Sequence, residues 1–293
     1  MKRKLLFAFA LLTVSFHCSL NAQEEPAPKY WTKNGFLGLK FTQVSLTNWA
    51  AGGNNAIAFD AQGTYQIDYK KGKHIWNNRF ELAYGLSKIK GEGVQKTNDK
   101  IYLNSNYGYS IYKNLYVSGL INFQTQFSPG YNYAVNRDLS ISDFMAPGYL
   151  LIGPGLTWIP NKYFTATFSP ITWRGTFVLN DRLSNEGAYG VTPGNKVRSE
   201  WGANLRLEGN YEFLKNMTVY SRADFYSDYT HKPKNIDVNW EVQLNMSINK
   251  WFSTTLTTNL VYDDDVKITK ADGTKGSRIQ FKEVLGVGVQ FNF

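Results

Sequence analysis

Apolar and polar residues alternate with a period of two along most of the chain after residue 30. In residues 57–69, the odd positions are apolar or small, whereas the even positions carry Asp60, Gln62 and other polar side chains. This alternation is typical of a β-strand with two unlike faces. It predicts about twelve strands, near residues 36–45, 57–69, 76–86, 101–111, 115–127, 145–158, 163–179, 197–213, 216–229, 238–248, 252–262 and 277–293.

The polar face of these strands is too polar for the core of a β-sandwich, because charged residues occupy mid-strand positions. Both faces are explained if one meets lipid and the other meets a wet lumen. Many of the segments also reach the 9 to 11 residues, roughly, that a tilted strand needs to cross a bilayer. We therefore predict an all-β fold, a transmembrane up-and-down antiparallel β-barrel of about twelve strands.

Short and long connections alternate along the chain, as expected for an up-and-down membrane barrel with short periplasmic turns and long outer loops. This arrangement predicts that both termini are periplasmic. The long segment 128–143 is a candidate to fold into the lumen as a constriction. The short connections are near residues 70–74, 112–114, 159–162, 214–216 and 249–251, and the long ones near 46–55, 89–99, 128–143, 180–196, 230–236 and 263–276.

The N-terminus has the layout of a secretory signal peptide, with Lys2, Arg3 and Lys4 before an apolar run at residues 5–16. We predict cleavage after Ala22, a periplasmic segment at 23–35 and an outer-membrane barrel at 36–293, in a Gram-negative cell. Removal of the segment lowers the formal charge from +9 by its three cations and removes the single cysteine. A thiol nucleophile and a disulfide are then excluded, and the remaining basic residues form no nucleic-acid footprint.

The last predicted strand ends the chain on Phe291 and Phe293, which share one face. A terminal amphipathic strand that closes on Phe resembles the signal that the barrel-assembly machinery reads in outer-membrane barrels. The expected partners are therefore outer-membrane lipid and, during insertion, that machinery.

Charged residues on the polar face are expected to point into the lumen. If opposite charges pair across the barrel, they close it; if they line opposite walls, they form a pore that selects small polar solutes. Our first expectation is a passive pore for small hydrophilic solutes, and the alternative is a sealed scaffolding barrel that docks onto another outer-membrane assembly. The candidate lumen residues are Asp60, Arg79, Glu81, Arg198, Glu200, Arg206, Glu208, Arg222, Asp224, Glu241 and Lys282.

Candidate enzyme chemistry is sparse, because only His74 and His231 follow the signal segment. His231 lies near several aspartates in a predicted outer loop, where a carboxylate would orient a catalytic base, but a solvated loop histidine is the simpler interpretation. The acidic run at 263–265 lacks the ligand spacing of a calcium loop. We therefore expect a protein that is not an enzyme, with no catalytic residue, metal or cofactor.

Five short motifs resemble a family of uncharacterised outer-membrane β-barrel proteins from Bacteroidota, described as a domain of unknown function. The resemblance extends over about residues 30–293 and implies an outer-membrane barrel without implying an activity. The motifs are NWAAGGNN at 48–55, FQTQF at 123–127, APGYL at 146–150, SP at 169–170 and YGVTPG at 189–194.

Overall fold

The computed structural model describes residues 30–45, 55–231, 233–266, 268–269 and 275–293. Within them, twelve antiparallel strands close into one barrel, in which consecutive strands pair and the last pairs with the first. The predicted all-β, up-and-down barrel is therefore confirmed. Its strands are β1 Trp31–Val44, β2 Ala56–Lys71, β3 His74–Ile89, β4 Gly93–Tyr112, β5 Leu115–Thr125, β6 Gly148–Asn161, β7 Phe164–Phe177, β8 Val197–Leu214, β9 Met217–Asp228, β10 Ile236–Ser247, β11 Phe252–Tyr262 and β12 Gln280–Asn292.

The two faces of each strand follow the alternation in the sequence. In β1, Leu37 and Phe41 point outward and are 54% and 51% exposed, whereas Lys40 points inward and is 6% exposed. An apolar outer surface that stays accessible is costly in water and favourable in lipid. None of the helices in the described residues has the length and apolar content needed to cross a membrane.

Short turns join the strands at one end of the barrel, which we call the turn end. Gly72, Asn114 and Asn216 adopt positive φ angles of 57°, 61° and 65° there, a conformation that Gly and Asn tolerate best. The register shifts by one residue beside Asn114 and Asn216, as in hairpins whose turn ends on a left-handed residue. β1 begins and β12 finishes at this same end.

The opposite end, called the loop end, carries the longer connections. Residues 126–147 contain a small hairpin, Gly130–Asn132 with Asn136–Ser142, and residues 178–196 contain the short helix α1, Asp181–Asn185. The two loops pack together through a buried cluster of Ala146, Val178, Leu183 and Val191.

Tyr189 fastens these two loops to each other. Its hydroxyl donates to the Ile141 carbonyl oxygen over 2.7 Å, and burial raises the pKa of Tyr189 to about 12. Residues 126–147 and 178–196 therefore form one packed unit at the loop end of the barrel.

Two boundaries differ from the sequence-based expectation. Residues 89–99 do not form a long loop: β3 continues to Ile89 and β4 starts at Gly93. Polar residues occupy both odd and even positions of residues 90–99, so this part of the hairpin shows no alternation in the sequence. At the other end, β1 already begins at Trp31, whose ring lies 4.8 Å from the Tyr69 ring. The proposed signal peptide and residues 23–29 lie outside the described residues.

The C-terminal phenylalanines take part in barrel closure. Residues Phe36 to Lys40 of β1 pair with Gly288 to Asn292 of β12, and Gly35 and Phe293 exchange backbone hydrogen bonds of 2.6 and 3.0 Å. A Cβ at Gly35 would come within 2.1 Å of the Phe293 ring, so only glycine lets this ring lie across the seam. The Phe291 ring packs edge-on against Trp251, 5.1 Å away.

The closing seam is testable by cross-linking. Leu39 and Val289 are opposite each other across it, where antiparallel Cα atoms are roughly 4.5–5.5 Å apart, within disulfide range. We expect Leu39→Cys/Val289→Cys, in a Cys18→Ser background, to form a disulfide on mild oxidation of the folded barrel, detected as a mobility shift on gels. Leu39→Cys/Leu285→Cys, four residues out of register, is the control and should stay reduced. A folded protein in which the first pair does not cross-link would contradict a closed barrel.

Candidate functional site: the lumen

A polar cavity of about 360 Å³ lies inside the half of the barrel near the loop end. The cavity is assigned to this half because three of its lining residues, Asp60, Asp237 and Lys282, lie close to the loop-end starts of β2, β10 and β12. The wall consists of inward side chains from many strands, among them Lys40, Gln62, Tyr102, Tyr149, Asn204, Tyr226, Asn239, Asn259 and Lys282.

Four charged side chains form the inner end of this cavity, and we call them the lumen band: Glu81, Lys100, Arg222 and Glu241. The Lys100 Nζ lies 2.5 Å from Glu81 Oε2 and 2.7 Å from Glu241 Oε2. The Arg222 guanidinium lies 3.1 Å from Glu81 Oε1 and 3.2 Å from Glu241 Oε2. Acids and bases therefore alternate in a ring in which every charge has two partners of opposite sign, the condition under which buried charges are tolerated.

The lumen band joins opposite walls of the barrel. β3, which carries Glu81, and β9, which carries Arg222, are six places apart in the ring of twelve strands. Only 3% of Arg222 and 6% of Glu81 is exposed, so water reaches little of their surface. The ion pairs thus obstruct the direct path along the barrel axis.

A second contact crosses the lumen at Arg206 of β8. Its Nε lies 2.6 Å from Asp224 Oδ1, and its Nη1 donates to Asn104 Oδ1 of β4. Between the two crossings, the Tyr102 ring centre lies 4.0 Å from the Arg222 guanidinium carbon, a cation–π contact that also excludes water from the charge.

The lumen on the turn-end side of the band is filled by side chains. The Arg79 guanidinium carbon lies 4.2 Å from the centre of the Tyr220 ring on the opposite wall, and the Tyr220 hydroxyl donates to Glu208 Oε1 over 2.9 Å. Farther round the wall, the buried Asn106 amide donates to Thr157 Oγ1 over 2.9 Å. These contacts occupy the lumen on this side of the band, although Asn106 Oδ1 and Asp68 Oδ1 are buried there without a hydrogen-bond partner in the described residues.

Arg174 organises the rim of the cavity at the loop end. Its guanidinium binds Glu200 through two hydrogen bonds of 2.9 and 2.8 Å, the bidentate geometry that makes arginine–carboxylate pairs strong. The third nitrogen lies 2.6 Å from Asp237 Oδ2. Arg198 also shares the fully buried Glu200, over 2.8 Å, and contacts Asp265 over 2.6 Å.

The structure places the eleven candidate lumen residues in three groups. Arg198 and Glu200 lie at the rim, and Arg79 and Glu208 lie on the turn-end side of the band. The cavity itself is lined by the remaining seven, Asp60, Glu81, Arg206, Arg222, Asp224, Glu241 and Lys282.

Several central residues were missed by the sequence reasoning. Lys100 and Tyr102 occupy even-numbered positions on the same polar face of β4 as Asn104, so the alternation could have identified them. Arg174 was harder to assign, because one extra residue of β7 opposes β8 between Ser169 and Thr172. After such a bulge, the residues that face the lumen change from odd-numbered to even-numbered positions, so Arg174 faces inward.

The remaining sequence candidates lie outside the cavity. Residues 126–147 contribute none of its lining, so side chains, and not that loop, narrow the lumen. His231 is largely exposed, and its Nδ1 lies 3.2 Å from Asp228 Oδ2. Among the described residues, no group of three His, Cys, Asp or Glu side chains is placed to hold a metal ion.

Comparison with protein families gives one match. The family described as "Protein of unknown function (DUF3078)" matches residues 41–131. The match covers less than half of the chain and agrees in part with the resemblance noted above, whereas a Bacteroidota origin stays a prediction. No curated protein matches the sequence.

Three solved structures with a similar fold illustrate the structural comparison. An outer membrane channel from Pseudomonas putida F1 is 10% identical, with coverage of 92% of this chain and 100% of that chain and a TM-score of 0.41. The NanC porin is 11% identical, with coverage of 87% and 98% and a TM-score of 0.41. The translocator domain of the autotransporter NalP from Neisseria meningitidis is 10% identical, with coverage of 90% and 88% and a TM-score of 0.36.

Neutralising one member of the lumen band should destabilise the barrel. Glu81→Gln keeps the side-chain volume but leaves Arg79, Lys100 and Arg222 with an excess of buried positive charge. We expect a loss of about 3 kcal/mol in the free energy of unfolding, measured by urea titration in lipid vesicles. Glu212→Gln, at an exposed position beside a turn, is the matched control and should change stability by less than about 0.5 kcal/mol. Equal effects at the two positions would show that the band is not a buried ion-pair network.

Proposed function

We propose that this chain spans the outer membrane and admits small hydrophilic solutes into a lumen that its side chains hold closed to passive flow. The proposal rests on one observation, the ring of ion pairs that joins opposite walls at the inner end of a polar cavity. The protein is then a channel in its closed state, and solute passage requires the lumen band and the packed side chains on its turn-end side to move apart.

The outer surface supports a membrane location. Exposed apolar side chains cover the middle of the strands, and aromatic rings gather near the turn end, where Trp158 contacts Phe164 and Tyr163 contacts Tyr211. Amphipathic rings are enriched at the two edges of a lipid-facing band. We place the turn end and both barrel termini in the periplasm, and the cavity therefore faces the cell surface.

Mixed charge in the lumen suits a channel for polar solutes that are not strongly charged. A wall of a single sign would select ions of the opposite sign, whereas here the acids at the inner end of the cavity are matched by nearby bases. This pairing favours exclusion of free ions, with entry restricted to solutes that fit the polar wall.

Removing one complete ion pair should open the channel. Lys100→Ala/Glu241→Ala deletes a cation and an anion together, so it shortens two band side chains while leaving Glu81 paired with Arg79 and Arg222. We expect single-channel conductance in planar bilayers to rise severalfold above that of the wild type, because fewer ion pairs then hold the opposite walls together and the side chains on the turn-end side can move apart more often.

The control for this experiment is Glu92→Ala/Arg137→Ala, which removes an exposed ion pair in the loops and should leave conductance unchanged. A wild type that conducts steadily and matches the double variant would show that the band does not close the lumen. If both are silent, the sealed scaffold is favoured, and a stoichiometric protein partner should then co-purify from native membranes.

A further inference from the structure

Five buried polar atoms on the cavity wall have no hydrogen-bond partner within the described protein: Asp60 Oδ1, Gln62 Nε2, Tyr102 Oη, Asn204 Oδ1 and Tyr226 Oη. Three of their residues, Tyr102, Asn204 and Tyr226, are no more than 4% exposed. Burying a polar group without a partner destabilises the folded state, so most native proteins avoid it. Several in one cavity indicate that something else supplies the partners when the cavity is filled.

The chemistry of these five atoms narrows the choice of ligand. Asp60 and Asn204 offer acceptors, Gln62 offers a donor, and the two tyrosine hydroxyls both donate and accept. A ligand hydroxyl also donates and accepts, so a molecule with several hydroxyls can satisfy the whole set. A ligand that only accepts, such as sulfate, would leave the Asp60 and Asn204 oxygens without donors.

The charged residues on the wall also favour an uncharged ligand. Glu81, Asp224 and Glu241 are each bound by a lysine or an arginine, and Asp237 is bound by Arg174. Lys40 and Lys282 also line the wall, and each donates to an amide oxygen, Gln62 Oε1 over 3.1 Å and Asn98 Oδ1 over 2.8 Å. An anionic ligand would have to displace these amide contacts and a cationic ligand would have to displace a lysine or arginine from its acid, whereas an uncharged ligand leaves all of them intact.

We infer that the cavity binds an uncharged polyhydroxylated solute with the size of one or two sugar rings. The volume of about 360 Å³ lies at the lower end of the range for small-molecule sites, and the Tyr149 ring lines the cavity, where it can pack against the C–H face of a sugar. This inference rests on the proposed function and specifies the solute class that the closed channel admits.

Titration calorimetry of the full chain, folded in detergent, tests the inference with glucose and maltose as probes and with phosphate, glycine and lysine as charged comparisons. We expect one or both sugars to bind and the charged probes to give no heat. Tyr226→Phe and Tyr102→Phe each remove a hydroxyl but keep the ring, so each should weaken sugar binding by about fivefold.

These two variants should also leave the thermal stability of the empty barrel unchanged or raise it, because each deletes an unpartnered buried group. A loss of binding with no loss of stability separates a ligand contact from a structural role. Tyr211→Phe, on the exposed outer wall, is the matched control and should bind sugar like the wild type.

The inference is overturned if neither sugar binds, if a charged probe binds as well as the sugars do, or if both lumen variants bind like the wild type. The outcome is independent of the conductance test. Sugar binding without conductance in Lys100→Ala/Glu241→Ala would overturn the channel alone, and conductance without sugar binding would overturn the solute class alone.

Discussion

Ion pairing across the lumen is the interaction on which the interior of this barrel depends. Charged side chains on facing walls have been taken out of bulk water, and the cost of that transfer is recovered only when each charge meets its opposite in good geometry. The four residues of the lumen band satisfy this condition as a ring, with every contact at 3.2 Å or less. Because the partners lie on opposite walls, the same contacts that stabilise the charges also close the lumen.

The division of the lumen follows from that closure. On the turn-end side, Arg79, Tyr220 and Glu208 and the hydrogen-bonded Asn106 fill the space between the walls. On the loop-end side, the barrel keeps a polar cavity in which five buried groups have no described partner. One barrel therefore has a packed half that gives rigidity and an open half that can receive a solute.

Much of the fold could be predicted from the sequence, because the side chains of one strand face two different solvents. Alternation located all twelve strands. It failed in the β3–β4 hairpin, where both parities are polar, and at the β7 bulge near Ser169, where the inward parity changes. The lumen contacts could not be predicted, because pairing between Glu81 and Arg222 depends on strand stagger and on which walls face each other. Odd or even position predicts whether a side chain faces the lumen. Which residue it contacts across the lumen is seen only in the closed barrel.

Labelling of single cysteines from outside intact cells tests the divided lumen most directly. Asn259 lines the cavity, and Asn245 lies on the inward face of β10, four residues beyond Glu241 toward the turn end. In a Cys18→Ser background, a membrane-impermeant maleimide added to cells should modify Asn259→Cys and spare Asn245→Cys until the outer membrane is permeabilised. Equal modification of both cysteines in intact cells would contradict a lumen closed by the band.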